Sequence, residues 1–116
     1  MPYLFISVRE HDDKMTINKN NLTKISLNFF YRDNSPECQI TRKALYGIMD
    51  NYIGNLILQE INFDQNKIIC DRYNVYGVPT LLIIKNEKIL NRFSGILDSR
   101  EIQVLLDPFI ERPDIK

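Results

Sequence analysis

The stretch Gly77-Val78-Pro79-Thr80, which leads into an apolar run of leucine and isoleucine, decides the fold of this chain. The run predicts a buried strand from Thr80 to Lys85. A second apolar segment, Lys88 to Phe93, follows after Asn86-Glu87, and the two segments together predict an antiparallel hairpin. Asn-Gly is the easier two-residue turn, so we expect Glu87 either to accept a positive φ or to force a wider loop.

Upstream of this hairpin the hydrophobic pattern predicts three further strands. They are Tyr3 to Val8, Ile25 to Tyr31 and Leu56 to Ile61. The strand from Ile25 to Tyr31 is partly apolar on both faces, which is typical of a central strand covered by helices on both sides. Residues 9–24 are mostly polar and carry only a weak pattern for a short helix.

The first long helix has the clearest start. Ser35 is a suitable N-cap, Pro36 fits the first helical position, and Glu37 faces the positive end of the helix dipole. The apolar residues that follow at steps of four are predicted to face inward, with two more alongside: Ile40, Ala44, Ile48, Tyr52, Leu45 and Met49. Gly54 is predicted to end this helix.

Two more helices are predicted downstream. One runs from Gln65 to Tyr73, with Ile69 and Tyr73 inward, and the last begins with a capping box of Asp98 and Glu101. The last helix has one apolar stripe before Pro108 distorts or ends it: Ile102, Leu105, Leu106 and Phe109. The order of elements predicts one α/β domain over residues 1–116, with a core of about 3–110 and a short tail, 111–116.

Several motifs, in the right order and spacing, resemble the thioredoxin superfamily. They are Tyr52-x-Gly54, Ile61-Asn62-Phe63-Asp64-Gln65-Asn66, Tyr73-x-Val75-x-Gly77-Val78-Pro79-Thr80-Leu81, Lys85-Asn86 and Gly95. The resemblance implies a thioredoxin-like fold, with a mixed sheet of about five strands flanked by about four helices. It also implies a cis bond before Pro79 and a peptide-binding surface formed by the loop Tyr76, Gly77, Val78, Pro79 and Thr80.

That family carries a Cys-x-x-Cys motif where a helix begins, and this chain departs from it. In the register that we favour, Ser35 replaces the first cysteine and Cys38 matches the second, with one extra residue in the preceding loop. If the extra residue instead follows the motif, Asn34 and Glu37 replace the two cysteines. Both registers lack the attacking thiol, so turnover through an internal disulfide is excluded at this motif.

Other positions bear on the same question. Asn28 stands where the family often has a buried proton-accepting aspartate, and an amide cannot titrate. Cys70 lies on a later helix that the family places away from the site, so we interpret it as a small core residue. Tyr31 and Tyr76 flank the motif and the proline loop, and we expect either an exposed aromatic rim or, for Tyr31, a place in the core.

Composition excludes several other functions. Fifteen basic and fifteen acidic residues cancel, so nothing favours a nucleic-acid partner. No run is long enough to span a membrane and the start lacks the pattern of a signal peptide, which predicts a cytosolic protein with reduced thiols. We predict no cofactor and no metal site, since His11, the single histidine, fits a solvated turn.

These observations support one leading hypothesis and several alternatives. The leading hypothesis is a thioredoxin-like protein without reductase activity that binds a protein or peptide around Ser35, Cys38 and Pro79. The main alternative is a monothiol oxidoreductase in which Cys38 forms mixed disulfides with glutathione or a partner. Ser35 as a hydrogen-bond donor to a bound thiolate, and a domain with no ligand at this face, are further hypotheses.

Overall fold

A computed structural model of the chain describes residues 4–8, 25–52 and 56–110. Five strands in this part form one sheet in the order β1-β3-β2-β4-β5: β1 Leu4–Val8, β2 Ile25–Tyr31, β3 Leu56–Asn62, β4 Thr80–Lys85 and β5 Lys88–Ser94. β3 pairs in parallel with β1 and β2, whereas β4 is antiparallel to both β2 and β5. The sheet is therefore mixed. The predicted helix within 9–24, His11, Gly54 and the tail 111–116 lie outside the described residues.

Helices cover the sheet. The three α-helices of the described part are α1 Pro36–Ile48, α2 Lys67–Arg72 and α3 Ser99–Leu106. Short 3-10 turns continue or precede them: Met49–Tyr52 after α1, Phe63–Gln65 before α2 and Asp107–Phe109 after α3. The predicted α/β fold of the thioredoxin type is confirmed.

β2 is the centre of this arrangement, and its first six residues are all buried. Alternate side chains enter two separate cores, because successive residues of a strand point to opposite faces. Leu27 and Phe29 join the core beneath α1 and α3. Phe30 joins the core that includes Ile69 and Cys70 of α2. The prediction of a strand covered by helices on both sides is correct.

The inward face of α1 differs from the prediction at one position. Ile40 was expected to face the core but is 53% exposed, whereas Cys38, Thr41, Leu45 and Ile48 are buried. Residues spaced exactly four apart move gradually around the helix axis, because an α-helix has about 3.6 residues per turn. The buried stripe instead alternates steps of three and four, so Ile40 is carried to the solvent side.

The other helix boundaries follow the local signals with small shifts. α2 is shorter than the predicted Gln65 to Tyr73, because the residues before it form a separate 3-10 turn capped by Asn62. α3 begins with the predicted capping box, in which Asp98 accepts from the Glu101 amide and Glu101 accepts from the Asp98 amide. Ile102 and Leu106 are buried, and Pro108 lies in the final 3-10 turn.

The β4–β5 hairpin turns through two left-handed residues. Asn86 has φ 53° and Glu87 has φ 67°, so Glu87 accepts the positive φ and the turn stays tight. A left-handed conformation costs a residue with a Cβ about 1–2 kcal/mol, and asparagine tolerates it better than glutamate. The cost is therefore concentrated at Glu87.

Replacing Glu87 by glycine should stabilise the protein. We expect Glu87→Gly to raise the free energy of unfolding by about 0.5–1 kcal/mol, because glycine removes the Cβ clash in the left-handed region. Equilibrium unfolding in urea measures the change. Glu87→Ala keeps the Cβ and is the matched control; an equal gain in both variants would contradict the conformational explanation.

Candidate functional site

The sheet register brings the start of α1 and the proline loop (residues 76–80) to the same end of the sheet. β2 and β4 are antiparallel neighbours, and Phe30 near the end of β2 pairs with Thr80 at the start of β4. The chain leaves β2 at Tyr31 and enters α1 within a few residues. The segment Ser35 to Cys38 is therefore adjacent to the proline loop, as the resemblance implies.

Ser35 caps α1. Its backbone is extended, and its Oγ accepts a hydrogen bond of 3.1 Å from the Cys38 amide. The Ser35 hydroxyl also lies 3.4 Å from Glu37 Oε1, to which it donates. Pro36 occupies the first turn, where its missing N–H leaves no helical bond unmade. The hydroxyl thus stabilises the helix start.

The Cys38 side chain points into the protein. Its exposed fraction is 0%, and it belongs to the core shared by β2, α1 and α3. A thiol must be reached by its reaction partner in order to exchange with a disulfide. In this conformation the Cys38 sulfur is closed to a disulfide in solvent.

The loop before Ser35 is held by polar contacts. Arg32 donates two hydrogen bonds of 2.8 Å to the Asp64 carboxylate, one from Nε and one from a terminal nitrogen. This hydrogen bonding lowers the pKa of Asp64. Asp33 accepts a bond of 3.3 Å from the Asn62 amide. Asn34 has φ 59°, a left-handed conformation that asparagine tolerates. Asp33 and Asn34 thus form a turn between β2 and α1.

The proline loop is fixed on both sides. The Val78–Pro79 peptide bond is cis, and Pro79 is buried. The Thr80 hydroxyl donates to the Gly77 carbonyl at 2.7 Å. The Gly95 amide donates to the Pro79 carbonyl at 2.9 Å, from a φ of 117° that favours glycine. This second bond joins the loop to the turn that enters α3.

Tyr76 stands out from the loop, with 76% of its surface exposed. Its hydroxyl donates to Asn74 Oδ1 at 2.9 Å. Arg92 of β5 also holds this segment, donating to the Tyr73 carbonyl and, at 2.9 Å, to the Asn74 carbonyl. The backbone just before the exposed Tyr76 is therefore bonded to strand β5.

Comparisons with known proteins agree with this geometry. The family model described as Thioredoxin matches residues 6–107. The chain belongs to the thioredoxin family. It is 30% identical over 73 residues to a thioredoxin of Chlorobaculum thiosulfatiphilum, covering 63% of this chain and 68% of that protein. It is 28% identical over 90 residues to Thioredoxin 2 of Chlorobaculum tepidum, covering 78% and 83%.

Solved structures show the same fold. A mutant thioredoxin from Halobacterium salinarum superposes with a TM-score of 0.75 at 19% identity, covering 97% of this chain and 96% of that one. A thioredoxin from Fasciola hepatica gives a TM-score of 0.69 at 19% identity, covering 77% and 84%. At such identity the likeness concerns the backbone, and the function must be argued from the side chains at the site.

Asn28 forms hydrogen bonds with uncharged groups. It stands where the resemblance to the thioredoxin family implies a buried acidic residue. It is fully buried, donates to the Ser26 and Leu82 carbonyls at 3.2 and 3.5 Å, and lies 3.4 Å from the Ser26 hydroxyl, which donates to it. Phe29, its neighbour, faces α1, so strand alternation places Asn28 on the opposite side of the sheet. Both polar atoms of its side chain therefore form hydrogen bonds with β2 and β4.

Cys70 lies in the other core of this thioredoxin fold. It is buried beside Ile69, and its thiol donates to the Phe63 carbonyl at 3.8 Å. Burial, with smaller contributions from Asp71 and Asp64, raises the pKa of the Cys70 thiol to about 11. Cys38 and Cys70 are both free thiols and belong to separate cores. Cys70 therefore does not replace the missing cysteine.

Sequence reasoning missed three features near this site. Arg92 carried no signal, because its acceptors are backbone carbonyls far along the chain. Ile96 is 49% exposed beside Gly95, and its branched apolar side chain gave no reason to expect exposure to solvent.

The third missed feature is a buried carboxylate on β3. Glu60 accepts hydrogen bonds from Arg42 Nε at 2.8 Å and from the Tyr46 hydroxyl. The guanidinium of Arg42 lies 4.4 Å from the ring centre of Tyr31, so this half-buried tyrosine is part of a packed cluster.

Within the described residues no group of three potential ligands is arranged for a metal ion. The helices in that part of the chain are also too short or too polar to cross a membrane.

Removing the Arg92 contacts should loosen the proline loop without unfolding the protein. We expect Arg92→Met, which keeps the apolar stem, to speed amide hydrogen exchange at residues 74–78 by about fivefold or more, because two carbonyls lose their partner. Hydrogen exchange resolved by residue measures this effect. Arg100→Met on α3 is the matched control, and equal exchange in wild type and Arg92→Met would contradict the role of Arg92.

Proposed function

We propose that this thioredoxin-family protein binds a protein or peptide around Ser35, Cys38 and the proline loop, and that it has no dithiol disulfide-reductase activity. The observation that carries the proposal is the buried Cys38 thiol with a serine in place of the first cysteine. Dithiol turnover requires an exposed thiolate that attacks and a second thiol that resolves. The Ser35 hydroxyl is not appreciably ionised at neutral pH, so it cannot attack a disulfide in this way.

Binding is supported by a preformed surface. The Tyr76 ring is exposed, yet its hydroxyl and the backbone before it are held by hydrogen bonds. The carbonyl of Pro79 and the hydroxyl of Thr80 are likewise fixed. A surface that is already ordered loses little conformational entropy when a partner docks. This favours retention of a recognition face after the loss of the thiol.

The wild-type protein should fail a standard reductase assay. We expect no acceleration of insulin reduction by dithiothreitol above the uncatalysed rate, because no second thiol lies within a turn of Cys38. Turbidity of precipitating insulin chains measures the rate. Clear turnover by the wild-type protein would overturn the proposed loss of activity.

The control restores the missing thiol. Ser35→Cys should form an internal disulfide with Cys38 under mild oxidation, seen as the loss of both thiols from a maleimide assay. Cys70→Ser in the same background leaves the result unchanged if Cys38 is the partner. If the disulfide does not form, three free thiols remain in Ser35→Cys and two in Ser35→Cys/Cys70→Ser, and this result would favour the other register, in which Asn34 and Glu37 occupy the motif positions.

A monothiol oxidoreductase is the second candidate, with glutathione or a protein thiol as its partner. It is favoured by the position of Cys38 at the start of α1 beside the proline loop, where the resemblance to the family places the second cysteine of the motif. Family membership points to the same general chemistry. The complete burial of the sulfur opposes it, because a mixed disulfide needs an approach to that atom.

Alkylation distinguishes the two candidates. With iodoacetamide at pH 7.5 we expect Cys38 to react about as slowly as Cys70, whose thiol has a pKa of about 11. Both cysteines should react at least about tenfold faster after unfolding in urea. Mass spectrometry of tryptic peptides measures each site. Rapid labelling of Cys38 alone in the native protein would make the monothiol enzyme the better account.

We also propose a reducing compartment such as the cytosol. Two unpaired cysteines in separate cores support this proposal, because disulfides persist mainly in oxidising compartments. Fractionation of cells that express the tagged protein tests it.

A further inference from the structure

We propose that the partner of this protein is a basic segment of a polypeptide, in which an apolar residue is flanked by lysine or arginine. The inference rests on the proposed function and adds the chemistry of the partner. Its site is a docking surface that we define by Ser35, Tyr76, Val78, Pro79 and Ile96. The argument combines exposed apolar area with uncompensated negative charge beside it.

The apolar part of the docking surface consists of two exposed side chains on either side of Pro79. Tyr76 and Ile96 are 76% and 49% exposed. Tyr76 precedes Pro79 in the loop, and Ile96 follows Gly95, whose amide bonds the Pro79 carbonyl at 2.9 Å. Val78 is half-buried and packs against both cores. Exposed apolar side chains on an ordered backbone are typical of an interaction site.

Two carboxylates beside Ser35 form no ion pair with the cations of residues 25–52 and 56–110. Asp33 and Glu37 are exposed, and within these ranges each accepts a hydrogen bond from a neutral group, the Asn62 side-chain amide and the Ser35 hydroxyl respectively. Arg32, which lies next to them, already donates two bonds to Asp64. The part of the docking surface next to Ser35 therefore carries an excess of negative charge.

This excess is local. The whole chain has a formal net charge of zero, so general acidity does not explain it. Arg92 keeps its positive charge, because its partners, the Tyr73 and Asn74 carbonyls, are neutral, but its terminal nitrogens donate to those carbonyls and not to Asp33 or Glu37. Arg100 lies beside Glu101 in a separate groove lined by Phe93, Leu97, Val104 and Leu105. The described cations near the docking surface thus leave Asp33 and Glu37 unpaired.

Charge complementarity selects the occupant. A basic segment pairs with Asp33 and Glu37, while its apolar residue contacts Tyr76 and Ile96. A lysine or arginine can also lie over the exposed Tyr76 ring, which attracts a cation through its π electrons. An acidic segment meets two like charges at the same part of the surface and is rejected.

Two matched peptides test the inference on the full chain. Each is a fluorescein-labelled ten-residue peptide with a central valine-phenylalanine-valine; one has lysines on both sides and the other glutamates. Fluorescence anisotropy at about 20 mM salt should show the lysine peptide binding about tenfold tighter, with the advantage shrinking at about 500 mM salt.

Charge reversal provides the control. Asp33→Lys/Glu37→Lys should invert the preference between the peptides. Asp33→Asn/Glu37→Gln removes both charges and should abolish the preference, and it replaces the reversed variant if circular dichroism shows that the latter folds poorly. Asp50→Lys/Glu87→Lys makes the same change in net charge at exposed positions elsewhere and should keep the wild-type preference.

The outcomes separate this inference from the proposed function. Equal binding of both peptides that is lost in Tyr76→Ala would overturn the charge preference and leave the docking surface standing. A lysine preference that persists in Asp33→Asn/Glu37→Gln would assign it to other residues and overturn the inference. Binding of neither peptide at millimolar concentration would count against both the basic partner and the proposed docking surface.

Discussion

Burial of β2 on both faces constrains the position of nearly every other described element. Its alternating side chains need one layer that includes α1 and α3 and another that includes α2. Its antiparallel partner β4 must then begin where β2 ends, as the pairing of Phe30 with Thr80 records. The helix start after β2 and the loop before β4 consequently meet at one end of the sheet. The site is a result of this topology, whatever side chains occupy it.

Much of this architecture could be predicted because its signals are local. Ser35-Pro36-Glu37 and the Asp98–Glu101 pair mark helix starts through contacts within one turn. The inward face of α1 was misjudged at Ile40, since a step of four is only an approximation to the helical period.

The features that escaped prediction involve residues brought together only by the fold. Arg92 binds carbonyls, which every residue possesses, so its role leaves no mark in the sequence. Glu60 is an acidic residue in a strand, and only the packed α1 supplies Arg42 and Tyr46 to satisfy it. Asn34 and Asn74 were more accessible to prediction, because asparagine is enriched at positive φ and both adopt it.

The site separates two properties that coexist in a dithiol enzyme. Docking of a peptide requires exposed side chains on an ordered loop, and Tyr76 and Pro79 lie on such a loop. Chemistry depends on an accessible thiolate, and Cys38 instead fills space in a core. A buried thiol behaves as a small hydrophobic group, so packing alone accounts for cysteine at this position.

The hydrogen bond between the Ser35 hydroxyl and the Cys38 amide also limits which residues this position accepts without cost. Serine is among the preferred residues at a helix N-cap, and losing such a cap typically costs about 0.5–2 kcal/mol. A thiol placed at this position would give up that contact, whatever chemistry it supplied. Stability alone therefore favours serine here, and a cysteine at the same place would have to offset the weaker helix start.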